Sequence, residues 1–235
     1  KLGVNPFKFG MIGSSDIHTS LATIEDDNYF GGQVEQEPRA KRAEAVVKEG
    51  LGQKRYGWQY LSAGYAAVWA TGNTREALWD AMQRKEAYGT SGTRMTVRFF
   101  GGWEFTPDDA RAHNVADVGY AKGVPMGGEL KAAAKGQAPV LMIQAAKDPV
   151  GGNLDRVQVI KGWLDAKGAV QEKIYDVAWS GQRKAGKDGK LPSVGNTVNV
   201  TEATWSNSIG APALQAVWRD PNFDPALKAF YYVRV

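Results

Sequence analysis

Asp16 and His18, within the hexapeptide GSSDIH, are the residues of this chain best suited to chemistry. Asp-x-His sets a hard carboxylate oxygen and an imidazole nitrogen two residues apart, and both can face one divalent cation such as Zn²⁺ or Mn²⁺. The pair follows the short apolar run Lys8–Ile12, which reads as a buried strand opening into a loop at Gly13-Ser14-Ser15. Catalytic groups of α/β barrels gather at that edge, where strands open into loops. The same spacing also fits a plainer arrangement, with Asp16 capping a turn and His18 on the surface.

Other candidates divide the same way. Arg94 and Arg98 fall on one face of a predicted strand, where they can clamp an anionic substrate or form a solvated, ion-paired surface. His113 sits in the polar segment DDARAHNVAD and reads as a surface residue. The glycine-rich GYAKGVPMGG follows no strand and opens no helix, which argues against a phosphate-cradling loop. Trp163, Trp179, Trp205 and Trp218 suit a core or interface better than a carbohydrate platform.

The elements that would position these residues begin with a charged helix over 38–49 and a strand over Tyr60–Ala70, small and apolar on both faces. Asn73 and Glu76 form a capping-box pattern ahead of a helix over Thr74–Ala87, which places Leu78, Ala81 and Met82 on one face. A strand over Arg94–Phe100 follows. Residues 103–136 are loop-like, with a short helix begun at Thr106-Pro107. Strands are then predicted at Val140–Ala146, Arg156–Trp163, Lys173–Trp179, Thr197–Thr201 and Ala229–Val235, separated by Gly, Pro and Asn in the manner of a sandwich.

Composition narrows the function classes. The chain has 235 residues, 43% hydrophobic and 23% charged, as in ordinary globular proteins. A formal charge of +4, with basic and acidic residues interspersed, argues against nucleic acid as a partner. With no cysteine there is no disulfide, thiolate metal site or cysteine nucleophile. No apolar run approaches the ~20 residues that span a bilayer. The compartment stays open, with a periplasmic or secreted location favoured. Lys1 is not an initiator Met, and the strand-like pattern running to Val235 reads as a cut, so the chain is expected to be a fragment.

GSSDIH after an apolar run resembles the last metal-binding motif of the polymerase-and-histidinol-phosphatase (PHP) superfamily, and GNTREALWDAMQRKEAYGTSGTRM resembles the helix and strand that follow it. A closer resemblance, over nearly the whole chain, is to a large bacterial family called domain of unknown function 3604. It rests on NPFKFGMIGSSDIH, NYFGG, VRFFGGWEF, GYAKGVPMGGEL, LDRVQVIKGWLD and KIYDVAWS. The resemblance implies a distorted (β/α) barrel holding two or three divalent ions (Zn, Mn or Fe), with Asp16 and His18 as ligands and catalytic residues. The activity implied is hydrolysis of phosphoesters or of carboxylic or carbamate esters by metal-bound hydroxide. The H-x-H motif that supplies the first ligands in such barrels is absent, since His18 and His113 are the only histidines.

The fold expected is therefore α/β plus β. Residues 1–102 would be the closing part of a PHP-type barrel, 103–135 a connecting loop region and 136–235 a β-rich, sandwich-like accessory domain. The expected partners are a small-molecule ester, bound by Arg94 and Arg98, and the missing N-terminal part of the barrel. The alternative is a non-catalytic β-domain that recognises a glycan or a protein.

Overall fold

The computed structural model describes residues 8–18, 40–50, 52–60, 64–131 and 136–235. The chain divides into two compact units, Lys1–Arg94 and Met95–Val235. In the first, β1 (Val46–Gly50) and β2 (Gln53–Tyr56) form an antiparallel hairpin. Gly52 at its turn has φ of 73°, a conformation glycine reaches without strain. The helix expected over 38–49 is thus replaced, within the described residues, by turns at 40–44 and by β1, which opens on the β-branched pair Val46-Val47.

Strand β3 (Gly64–Val68) pairs antiparallel with β4 (Ala87–Ser91), and α1 (Arg75–Gln83) lies between them in sequence. The cap of α1 is Thr74, whose Oγ1 accepts from the Ala77 amide at 3.2 Å, one residue beyond the expected Asn73. Of the three residues assigned to its apolar face only Ala81 is buried, and Met82 stays exposed.

Residues 8–18 cross β3 and β4 without forming a strand. The Gly13 amide donates to the Tyr65 carbonyl at 3.2 Å. A Cβ at Gly13 would lie 2.5 Å from the Thr90 carbonyl oxygen, one at Gly64 2.5 Å from that of Ser14, and one at Gly89 2.5 Å from the Gly13 amide nitrogen. Three glycines thus let backbone lie directly on backbone.

This geometry overturns the expected (β/α) barrel. Barrel strands run parallel with helices packed outside, whereas every strand pair in the described residues is antiparallel. The small residues of β3, read as the mark of a strand buried between layers, instead admit the 8–18 segment. The apolar run at 8–12, read as a buried strand, leaves Phe9, Met11 and Ile12 exposed. The described residues are predominantly antiparallel β-structure in several small sheets.

The second unit holds two antiparallel sheets. One has the order β10 (Ala213–Arg219), β7 (Val140–Ala146), β5 (Thr96–Gly102), β6 (Gly123–Pro125); the other is β11 (Ala229–Arg234), β8 (Arg156–Leu164), β9 (Val170–Trp179). Alternation along β7 explains the layering. Leu141, Ile143 and Ala145 meet Val157 and Val159 of β8 in a core between the sheets. Val140 and Met142 point the other way, packing with Phe100, Phe105 and Ala110 beneath α2 (Pro107–Arg111) and α3 (Val115–Lys122). Strand β7 is buried on both faces, which accounts for its unbroken apolar run.

Asp109 joins the two short helices. Its Oδ2 accepts from the Thr106 amide at 2.7 Å and hydroxyl at 3.0 Å, and Lys122 Nζ lies 2.7 Å from Oδ1. The Lys122 hydrogen bond, followed by those from Thr106, holds the Asp109 carboxyl below its usual pKa against the opposing effect of burial. A depressed carboxyl contributes stability that is present above its unfolded value of ~3.9 and is lost as pH falls through the folded value. Urea unfolding of Asp109→Asn should therefore give a lower midpoint than wild type at pH 6, with the gap closing in strong acid. A gap independent of pH would reject this assignment.

Candidate functional site

Asp16 and His18 are brought together. His18 Nε2 lies 3.1 Å from Asp16 Oδ1, and both side chains are well exposed. Asp16 has φ of 52°, a left-handed conformation that non-glycine residues seldom adopt and that Asp tolerates better than most. Its amide donates to Ser14 Oγ at 3.1 Å. The pair sits three residues beyond Gly13, where the backbone is seated on β3 and β4, so it is carried on a supported segment.

The separation suits a shared cation. Donors bound at about 2.0–2.2 Å with angles of about 90–110° stand ~2.8–3.6 Å apart, and 3.1 Å falls inside that span. Two donors make one edge of a coordination shell. No cluster of three or more His, Asp or Glu side chains occurs among the described residues. Asp16 contacts Nε2, the same nitrogen that would face the ion, so a group other than Asp16 would have to fix the imidazole through its other nitrogen.

The two arginines proposed for substrate fall in different units. Arg94 precedes β5, places its guanidinium carbon 4.8 Å from the Tyr65 ring centroid and donates to the Tyr65 hydroxyl at 3.0 Å. Arg98, within β5, donates to the Tyr120 hydroxyl at 3.3 Å. His113 is exposed. The glycines of GYAKGVPMGG serve packing: a Cβ at Gly119 would lie 2.6 Å from the Phe100 ring, and one at Gly123 would collide with the Gly101 carbonyl. The four tryptophans form no common platform. Trp218 lies against Tyr175 at the sandwich core, while Trp179 donates its indole N–H to the Arg183 carbonyl.

Sequence reasoning missed a buried polar cluster at one end of the sandwich. Lys161 Nζ lies 2.6 Å from Asp220 Oδ2 and donates to the Asn222 carbonyl at 2.7 Å; the Tyr231 hydroxyl donates to the same Asp220 oxygen at 2.6 Å. Lys161 and Asp220 are almost wholly buried. Burial, reinforced by the bond to Asp220, pushes the Tyr231 hydroxyl well above its ordinary pKa. A signal was present: Lys161 continues the alternation of Val157 and Val159 and so belongs to the inward face.

Among the described residues no helix is long and apolar enough to cross a membrane. No curated protein and no solved structure matches the chain. A family model described as protein of unknown function (DUF3604) matches residues 1–235, and the chain belongs to that family.

Proposed function

We propose that the chain contributes Asp16 and His18 to a divalent-metal site, zinc, manganese or iron, of a hydrolase acting on phosphoesters or on carboxylic or carbamate esters. The observation that carries this reading is the 3.1 Å approach of Asp16 Oδ1 to His18 Nε2 on an exposed, backbone-supported segment. An ion held there supplies Lewis acidity and activates water at neutral pH. Asp16 brings the negative donor and His18 the imidazole nitrogen, the two approaching each other across the left-handed turn at Asp16. Further donors must come from elsewhere in the protein. Arg94, steadied on Tyr65, offers a guanidinium for an anionic ester.

The test is metal content. Protein that includes the further donors, equilibrated with Mn²⁺ or Zn²⁺, should retain metal tightly and residues 1–235 alone only weakly; in the former Asp16→Asn and His18→Ala should each weaken retention at least about tenfold, since even outer-shell substitutions cost 10–100-fold. Both variants should melt like wild type, because the side chains are exposed. Hydrolysis of aryl phosphate and aryl ester substrates should fall with metal content. No metal in wild-type protein that includes the further donors, or metal content unchanged in both variants, rejects the proposal.

A further inference from the structure

We propose that the loop between β9 and β10 holds a processing site, where a lysine-specific protease opens the chain after Lys184 or Lys187 and leaves a folded domain of two associated pieces. This site lies in the second unit and does not depend on the metal reading. Residues 184–190 read KAGKDGK, and every one is exposed. Their hydrogen bonds run within the loop. The Gly186 amide donates to the Lys190 carbonyl at 2.9 Å, the Gly189 amide to that of Gly186 at 3.0 Å, and the Lys190 amide to Asp188 Oδ1 at 3.1 Å. Exposed loop tips of small and polar residues are where proteases preferentially nick a folded chain.

Both ends of the loop are clamped by one ion-paired cluster. Asp155 binds two arginines, Arg156 through Oδ2 at 3.2 Å and Arg183 through Oδ1. Arg183 is engaged at all three guanidinium nitrogens, donating to the carbonyls of Ser180 at 3.0 Å, Asp155 at 2.8 Å and Pro192 at 2.8 Å. Its own carbonyl accepts the Trp179 indole N–H at 3.0 Å. Arg156 donates to the carbonyls of Leu191 at 2.8 Å and Pro192 at 2.9 Å, and Leu191 is buried. A protease selective for basic residues must take both the side chain and the carbonyl of the residue it cuts after. Arg183 offers neither. At Lys190 the carbonyl is bonded to the Gly186 amide and the next residue is buried. Lys184 and Lys187 are the basic residues of the loop that neither restraint covers.

Cutting there adds water across one peptide bond, leaving a carboxylate on the lysine and an ammonium on Ala185 or Asp188. The C-terminal piece carries β10 and β11, and both are built into the sandwich. β10 pairs with β7 from Ala213 to Arg219, and β11 with β8 from Ala229 to Arg234. Leu214, Ala216, Trp218, Tyr231 and Val233 pack against the core, and Asp220 of this piece meets Lys161 of the other. The bonds from Arg183 and Arg156 to Leu191 and Pro192 cross the cut and hold its two sides together. Cleavage therefore breaks no contact of the core, and the pieces stay joined.

Limited digestion of the native full chain with trypsin tests the site. Mass spectrometry should find C-terminal pieces that begin at Ala185 or Asp188. In gel filtration they should elute with the rest of the second unit and part from it only in denaturant. The bond after Arg183 should be cut at least about tenfold more slowly than those after Lys184 and Lys187, since it is reached only when the clamp opens. Lys184→Gln combined with Lys187→Gln should keep the loop whole although Arg183 and Lys190 remain, and should melt like wild type because both positions are exposed. Three results would overturn the proposal: a loop left uncut while trypsin cuts elsewhere, cleavage of the double variant within the loop at the wild-type rate, or pieces that separate without denaturant.

Discussion

Replacing Asp220 by alanine is expected to destabilise the protein by about 3–5 kcal/mol, because it leaves the buried Lys161 ammonium without its counter-charge. The carboxylate is used on both oxygens: Oδ2 takes Lys161 and the Tyr231 hydroxyl, and Oδ1 takes the Asn222 amide at 2.9 Å. Removing it strands the buried Lys161 ammonium and takes the acceptor from the Tyr231 hydroxyl and the Asn222 amide. The loss comes from the stranded charge more than from the worth of the pair, which predicts a rescue. Lys161→Met combined with Asp220→Leu should recover most of the stability, since apolar replacement of a whole buried pair is often neutral or better. Urea unfolding at pH 7 measures both. An Asp220→Ala cost under about 1 kcal/mol, the range of exposed pairs, would show that water reaches the cluster. Tyr231 adds an alkaline signature. Its hydroxyl is held above the ordinary value, so its contribution is complete below pH ~10 and is lost as pH rises beyond that, when the unfolded phenol ionises first.

The same cluster shows what a sequence conceals. Lys161 and Asp220 are 59 residues apart, and nothing local marks them as partners. Strands with strong period-two or continuous apolar patterns were legible, as at Val140–Ala146 and Arg156–Leu164. Strand β10 was not read, although Leu214, Ala216 and Trp218 alternate inward, because a long irregular segment precedes it. The strand expected at Thr197–Thr201 is absent because Asn side chains compete for its amides. Asn196 Oδ1 accepts from the Val198 amide and Asn199 Oδ1 from that of Thr201, turning the chain locally. The barrel was misread for a related reason. Small residues on a strand report close approach, and sequence does not say whether helices or another stretch of backbone will approach. At the candidate site the Asp-x-His spacing carried the proximity of its two side chains. The run Ala229-Phe-Tyr-Tyr-Val233 is apolar at every position, so alternation could not tell which rings face out.

Phe100→Ala should cost about 3–5 kcal/mol, the usual penalty for emptying a buried aromatic position. Phe100 is buried on the helix-covered face of β5, against Phe105, Ala110, Val140 and Met142. Its ring meets Tyr120 edge-on, with centroids 5.3 Å apart at 83°, and fits a notch that exists because residue 119 lacks a side chain. Truncation removes transfer energy and leaves a cavity that cannot close easily, since β5 is held in register by β7 along Thr96–Gly102. The deficit should concentrate in α2 and α3, short helices of 5 and 8 residues that owe their order to this contact. Adding Gly119→Ala to Phe100→Ala should return part of the loss by refilling the notch, whereas Gly119→Ala alone should be destabilising, by about 1–3 kcal/mol, as overpacking is. Urea unfolding of the three variants measures the coupling, and amide exchange places it. Additive effects of the two substitutions, or a loss of protection spread evenly over the sandwich, would mean that the ring does not seat the helices.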